Sequence, residues 1–327
     1  MISNQFSIRL HEARKMMGLS MEKLAELTGG IITKQSISRY EKGLMLPKRV
    51  AKLAMAKALN ISDSYFDGTN ISIDVPMLRT TSNGKLSEDE LQALEAKLSF
   101  WAEQYLAKEK EAGFPTQFNN PIEGTKISTL EDAIHAADLL REKWHCGDGP
   151  IASILRLLER KGIMILAATL PDYVFGMSTW ADKKHPLMIL DFNPEKSSVE
   201  KLRFTAVHEL AHLLLLFPED SPLRLEKRCD LFASFFLLPK LALIEELGSK
   251  KREKITLEEM IDIKELYGAS LAASIIAARD YGIITTEYKR AWHAEHIEPN
   301  PREIGSGHYA FPETLGREKR VNSIIDS

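Results

Sequence analysis

His208, Glu209 and His212 stand in the order His-Glu-x-x-His within the largely apolar stretch 204–214. Four residues apart on a helix, the two histidines lie one turn apart on one face, so both imidazoles can reach a single ion. Glu209 sits beside them, placed to take a proton from a water that the ion activates. The three residues therefore offer two ligands and the base of a metal-dependent hydrolase, with Zn2+ as the expected ion. The competing possibility is a chance match on a buried helix whose histidines are satisfied. Against it stands the company of Phe, Ala, Val and Leu, in which three ionisable groups are costly to bury without a metal or partners.

Two histidines do not complete a zinc site. The candidate third ligand is Glu226, which shares a helix face with Asp230 one turn later, while Leu231, Phe235 and Leu238 line an apolar side. Glu226 as ligand, with Asp230 accepting a histidine N–H, is the first assignment; the reverse assignment and a pair of solvated surface acids stay open. Tyr173, Tyr267 and His293 are candidates to stabilise an oxyanion. His293 and His296, three apart in a polar stretch near Pro299 and Pro301, read as surface.

Positioning these groups takes a framework of helices and a small sheet. Helical periodicity covers 130–144 and 150–161, with Pro150 suited to a first turn, and 256–279 reads as two further helices. Three β-rich pieces, 163–167, 174–179 and 187–191, are too few for a large sheet. Its edge is a place where an extended peptide can add as a strand. Residues 299–327 are turn-rich and expected to be loosely held.

Ahead of this body lies a differently built head. Residues 7–66 read as five short helices, at 8–17, 20–27, 33–41, 49–59 and near 63–66, with Gly18, Gly29, Gly30 and Gly43 at the stops. Ser20 and Thr33 suit the caps of the second and third. Leu24, Ala25, Ile37 and Tyr40 form the inner face. Leu19-Ser20-x-x-x-Leu24-Ala25, followed by Ser38-Arg39-Tyr40-Glu41-Lys42-Gly43, resembles the Xre-type helix-turn-helix family. That resemblance puts Lys34, Gln35, Ser36, Ser38 and Arg39 on a major-groove helix, with amide and guanidinium groups for base edges and Lys34 for phosphate. Arg39 could instead pair with Glu41. The turn at 28–32 is longer than the commonest version, and Met21 replaces a commonly polar residue. The implied partner is a double-stranded DNA operator, bound as a homodimer on a two-fold site.

Charge follows the same division. Residues 1–67 hold eleven Lys and Arg against six Asp and Glu, so a head of +5 leaves −8 on the rest of a chain whose total is −3. Only the head is suited to a polyanion. Between head and body, 68–85 reads as a linker with an extended piece at 71–75, and 86–110 as an amphipathic helix that either packs on the body or pairs two chains. Cys146 and Cys229 form no C-x-x-C pair and read as small buried residues of a reducing compartment. Apolar runs are too short to cross a bilayer and no leader opens the chain, so no membrane and a cytoplasmic location are expected.

The body resembles the ImmA/IrrE family of zinc metallopeptidases, on Arg203-Phe204-Thr205 ahead of His208-Glu209-x-x-His212 and on Glu226-x-x-x-Asp230-x-Phe232-Ala233 closing at Leu237-Leu238-Pro239. Weaker likeness covers Gly149-Pro150-Ile151 and Leu158-Glu159-x-x-Gly162-Ile163. The expected fold is therefore α+β, mostly α. It comprises a five-helix DNA-binding domain at 1–67, a linker and helix at 68–125, a zincin-like peptidase domain with a small sheet at 126–290, and a tail at 291–327. The resemblance implies a regulator whose endopeptidase cuts a partner repressor; a toxin and the chain's own linker between Asp67 and Leu86 are the other candidate targets. The alternative is a non-cleaving repressor or antitoxin-like regulator whose zinc body senses or binds a partner.

Overall fold

The computed structural model describes residues 4–68, 71–73, 87–115, 117–170, 172–219, 221–248 and 250–326. They are mostly helical with one small sheet, and divide into two compact units, residues 1–116 with 179–184 and 321–327, and residues 117–178 with 185–320. Among the described residues no helix is long and apolar enough to cross a membrane.

In the first unit, α1 (Asn4–Met16), α2 (Met21–Leu27), α3 (Lys34–Glu41) and α4 (Arg49–Ala58) precede a 3-10 turn at Asp63–Asp67. Ser20 Oγ accepts from the Lys23 amide and Thr33 Oγ1 from the Ser36 amide, which satisfies first-turn donors that a helix cannot satisfy itself. Leu10, Leu24, Ile37, Met55 and Leu59 are fully buried together, each contributing about 1.5–3 kcal/mol. The turn supplies Ile32 to the same core, so its extra length is anchored.

The helix α5 (Glu88–Glu111) starts at a reciprocal cap between Ser87 and Glu90 and buries Leu91, Leu98, Ala102 and Tyr105. It packs on α1, where Glu103 accepts from the fully buried Arg9, whose guanidinium lies 4.2 Å from the Tyr65 ring centre. Of the extended piece expected at 71–75, Ile73 bridges Ala181 in antiparallel fashion and the Ser72 amide donates to Asp182 at 2.7 Å. Most of the expected linker, with Pro76, Asn83 and Gly84, lies outside the described residues.

The second unit runs through α6 (Leu130–Trp144) and α7 (Ile154–Arg160). Next come β1 (Met164–Ala167), β2 (Gly176–Ala181), whose residues from Thr179 on count with the first unit, and β3 (His185–Leu190), then α8 (Val199–Leu214), α9 (Pro222–Leu237) and α10 (Lys240–Leu247). It continues with α11 (Leu257–Tyr267), α12 (Leu271–Asp280), α13 (Thr286–His296) and α14 (Arg317–Ile325), the last of which ends in residues of the first unit. Strand order is β1-β3-β2, with β1 and β3 parallel from Met164 opposite Leu187 to Ala167 opposite Leu190. Asp182 and Lys183, both at positive φ, are the central residues of the turn between β2 and β3, which the Lys184 amide closes on Ala181 O at 3.0 Å. Gly176 lets β2 approach α8: a Cβ there would stand 2.7 Å from Thr205 Cγ2 and 2.9 Å from Leu190 Cδ2.

Three features differ from expectation. Pro150 precedes α7 rather than opening it; Ser153 caps the helix, and the Glu313 carboxylate accepts from the Ile154 and Leu155 amides. The segment after Pro299 is tied down by such carboxylates instead of being loose. Glu303 accepts from Leu271 and Ala272 at the start of α12 and pairs with Lys264, and Glu159 accepts from the Gly316 and Arg317 amides. A negative charge at a helix N-terminus is favourable there on dipole grounds as well. Cys146 is only partly buried, while Cys229 is fully so.

Candidate metal centre and nucleic-acid interface

The helix α8 opens at Ser198, whose Oγ accepts from the Lys201 amide, and buries Leu202, Ala206, Val207, Leu210 and Leu214. That packing leaves His208 and His212 aimed at α9, which packs beside it. On α9, Cys229, Phe232, Ala233 and Phe236 are buried, and Glu226 and Asp230 stand toward the more open side.

Three groups converge. His208 Nε2 lies 3.0 Å from Glu226 Oε2, His212 Nε2 lies 3.2 Å from His208 Nε2, and His212 Nε2 lies 3.6 Å from Glu226 Oε1. Atoms bound tetrahedrally to one zinc, each about 2.0–2.1 Å from it, stand about 3.3 Å apart, so this triangle has the dimensions of a zinc ligand set. Its composition, two imidazoles and a carboxylate, suits the same ion. On the other edge of its ring, His208 Nδ1 meets Asp230 Oδ1 at 2.8 Å, and His212 Nδ1 meets Cys229 Sγ at 3.8 Å.

Glu226 and Asp230 set the electrostatics of the histidine pair. Burial opposes charge on His208, but hydrogen bonds to Asp230 and Glu226 outweigh it and hold the imidazole well above its usual range. Burial likewise opposes charge on Glu226, and the two histidines outweigh it, holding the carboxyl well below the usual carboxylate range. Burial pushes the Cys229 thiol well up, with nearby Glu226, Glu209 and Asp230 acting in the same direction.

Glu209, also on α8, is buried, and its Oε2 accepts from Ser178 Oγ at 2.7 Å. Ser178 comes from β2, the strand that Gly176 allows close to α8. Sequence reasoning missed Ser178, a hydroxyl next to Thr179 in a β-rich run with no motif around it. It also missed Cys229, whose position three residues after Glu226 put it on the same helix face. Of the oxyanion candidates, Tyr267 has its hydroxyl toward Glu246, His293 lies 3.6 Å from Glu298, and Tyr173 is exposed. None of the three is brought to the His208–His212 pair by a described contact. The expected surface stretch around His293 and His296 is the helix α13, anchored by buried Trp292.

In the head, Lys34, Gln35 and Arg39 are exposed along α3, with Ser36 and Ser38 half-buried between them. Lys34 reaches Glu22 at 2.9 Å on the exposed surface, a contact of little energetic weight. Arg39 is not paired with Glu41. That carboxylate is held by Arg14, through Nε at 2.6 Å and Nη2 at 2.8 Å, and by His11 at 2.9 Å, which ties α1 to the end of α3.

This pair gives the head a pH signature. Burial opposes the Glu41 charge, and Arg14 and His11 outweigh it, so the carboxyl titrates below its ordinary value. A group depressed on folding stabilises fully above its unfolded pKa and stops doing so as pH falls through the folded one. A Glu41→Gln variant should lose about 1.5–3 kcal/mol at neutral pH, the worth of hydrogen bonds to a charged group. Amide hydrogen exchange in α1 and α3 of the full chain reads this out, and the gap to wild type should close as Glu41 itself becomes protonated. A gap that keeps its neutral-pH size throughout the acid limb contradicts the pairing.

Comparison with known proteins bears on the head. A helix-turn-helix family model matches residues 10–66, which span α2, α3, α4 and most of α1. No curated protein matches the chain. Capped helices around one core, an exposed polar α3 and the family match agree: residues 10–66 are a helix-turn-helix DNA-binding domain, and the protein is a DNA-binding transcriptional regulator.

Proposed function

We propose that the second unit is a zinc-dependent endopeptidase that hydrolyses a peptide bond in a partner regulator or in this chain itself. The convergence of His208 Nε2, His212 Nε2 and the Glu226 carboxylate within 3.0–3.6 Å carries this reading. Their place in a His-Glu-x-x-His helix, and the resemblance of the segment to ImmA/IrrE peptidases, support it. His208, His212 and Glu226 would hold the ion, and Asp230 would accept the outer N–H of His208. Zinc there would supply the Lewis acidity that makes water a nucleophile at neutral pH and polarises a carbonyl.

The chain's own residues do the rest. Ser178 fixes one oxygen of Glu209 and leaves the other to accept a proton from water and return it to the departing amine. The Glu226 and Asp230 side chains are 39% and 54% exposed against 14% and 12% for the two histidines, so substrate reaches the site from the α9 side. Incubating the purified full-length chain with candidate repressor or toxin proteins, with and without a chelator, tests the reading. Chelator-sensitive fragments support it. Zinc-loaded protein that binds a partner and leaves it intact would assign a non-cleaving sensor instead.

The head directs the unit to an operator. A homodimer on a two-fold site would place two copies of α3 one helical turn of DNA apart. Arg39→Ala should cost about 1–3 kcal/mol at one base position and relax specificity there, whereas Lys34→Ala should weaken all sequences alike and lower the salt slope by about one. Binding titrations on operator variants at several salt concentrations separate the two. A change in specificity with Lys34→Ala but not with Arg39→Ala would reverse the roles.

A further inference from the structure

We propose that Cys229 is the outer partner of His212, a neutral sulfur acceptor that fixes which nitrogen of that ring is free to bind the ion. The inference rests on the metal reading of the preceding subsection and adds a residue to it.

Each imidazole of the pair uses both of its edges. The Nε2 edges face one another and Glu226, whereas the Nδ1 edges face two consecutive residues of α9, Asp230 behind His208 at 2.8 Å and Cys229 behind His212 at 3.8 Å. One turn of α9 thus supplies Glu226 as the third corner of the triangle and a backing group to each ring. A neutral imidazole carries a single N–H. When the His212 Nδ1–H donates to sulfur, a weak acceptor with a long reach, Nε2 is left with the lone pair that a metal needs. The same logic governs metal-bound histidines backed by carboxylates or carbonyls, and losing such a partner lowers metal affinity about 10–100-fold.

A different arrangement competes. His208, His212 and Cys229 themselves offer three ligand atoms within 4.8 Å of one another, and a thiolate is a good zinc ligand. The observed contacts favour the outer role. Sulfur meets the Nδ1 edge of His212, and one ion cannot be bound by both edges of one ring. The Nε2 triangle is already closed by Glu226. The two histidines are therefore unequal ligands: a full negative charge strengthens His208, and an uncharged sulfur strengthens His212 less.

Cobalt(II) loaded into the full-length chain tests this, with Cys229→Val as a variant of similar volume without an acceptor and Cys229→Ser as one that keeps an acceptor. The wild type should take up cobalt stoichiometrically and show no sulfur-to-cobalt charge-transfer band. In chelator competition Cys229→Val should weaken cobalt and zinc binding about tenfold, the low end expected for an outer partner, and Cys229→Ser should stay close to wild type. Nitrogen chemical shifts of the His212 ring should report an Nδ1–H tautomer in the metal-loaded wild type, a readout independent of how the variants fold.

A charge-transfer band in the wild type makes Cys229 a ligand and overturns the proposal while leaving a metal site. Equal affinities for wild type and Cys229→Val, a serine variant as weak as the valine one, or an Nε2–H tautomer overturn it as well. No cobalt uptake by the wild type would remove the metal reading and this inference together, an outcome distinguishable from all the others.

Discussion

An Arg203→Met variant is expected to lose about 3–5 kcal/mol of stability, the usual consequence of stranding one member of a buried ion pair. Arg203 is fully buried on α8. Its guanidinium pairs with Glu313 and donates to Ile151 O at 2.8 Å, Gly268 O at 3.1 Å and Tyr267 O at 3.2 Å, and it lies 4.2 Å from the Tyr309 ring centre. Glu313 also holds the start of α7. Removing the arginine leaves that carboxylate buried beside carbonyls that have lost their donor, and whole domains are stable by only about 5–15 kcal/mol. Denaturant unfolding of the full chain should show the midpoint fall, and an Arg203→Met, Glu313→Gln double variant should recover part of the loss because no lone charge remains. A wild-type midpoint for the single variant contradicts this account of what anchors α8.

The second large effect concerns Glu209. If the second unit is the endopeptidase proposed above, Glu209→Gln should leave metal content unchanged, because Glu209 is outside the His208, His212 and Glu226 triangle, yet slow peptide cleavage by about 10²–10⁴-fold, the range for losing a positioned base. At about 1.36 kcal/mol per tenfold this is about 3–5 kcal/mol of transition-state stabilisation. Mass spectrometry of chelator-sensitive fragments over time, beside metal analysis of the same samples, gives both numbers. An unchanged cleavage rate in a metal-loaded variant would take the base role from Glu209.

The histidine helix was legible because a four-residue spacing and an unbroken apolar run specify both a helix and a face. The helix over 130–144 and the caps at Ser20 and Thr33 were legible for similarly local reasons. What the sequence hid was long-range. Pro150 looked like a helix start, but a carboxylate from Glu313, far along the chain, meets the amides that open α7. The short helix Lys240–Leu247 carries no side-chain cap that would mark its start, and the expected strand limits shifted because the turn uses Asp182 and Lys183 rather than an Asn-Gly signal. Glu41 was read as a possible mate for Arg39, whereas Arg14 and His11, a helix away, take it. At the candidate metal site, Glu226 and Asp230 could be named as a pair, but which ring edge each meets depends on the packing of α9 against α8.

Elemental analysis of the purified full-length chain tests the central claim most directly. Stoichiometric zinc in the wild type, lost together in His208→Ala, His212→Ala and Glu226→Ala variants that otherwise unfold like the wild-type apoprotein, is the predicted result. A wild-type chain that takes up no stoichiometric zinc when it is offered, or a His208→Ala, His212→Ala double variant that keeps it, would contradict the account.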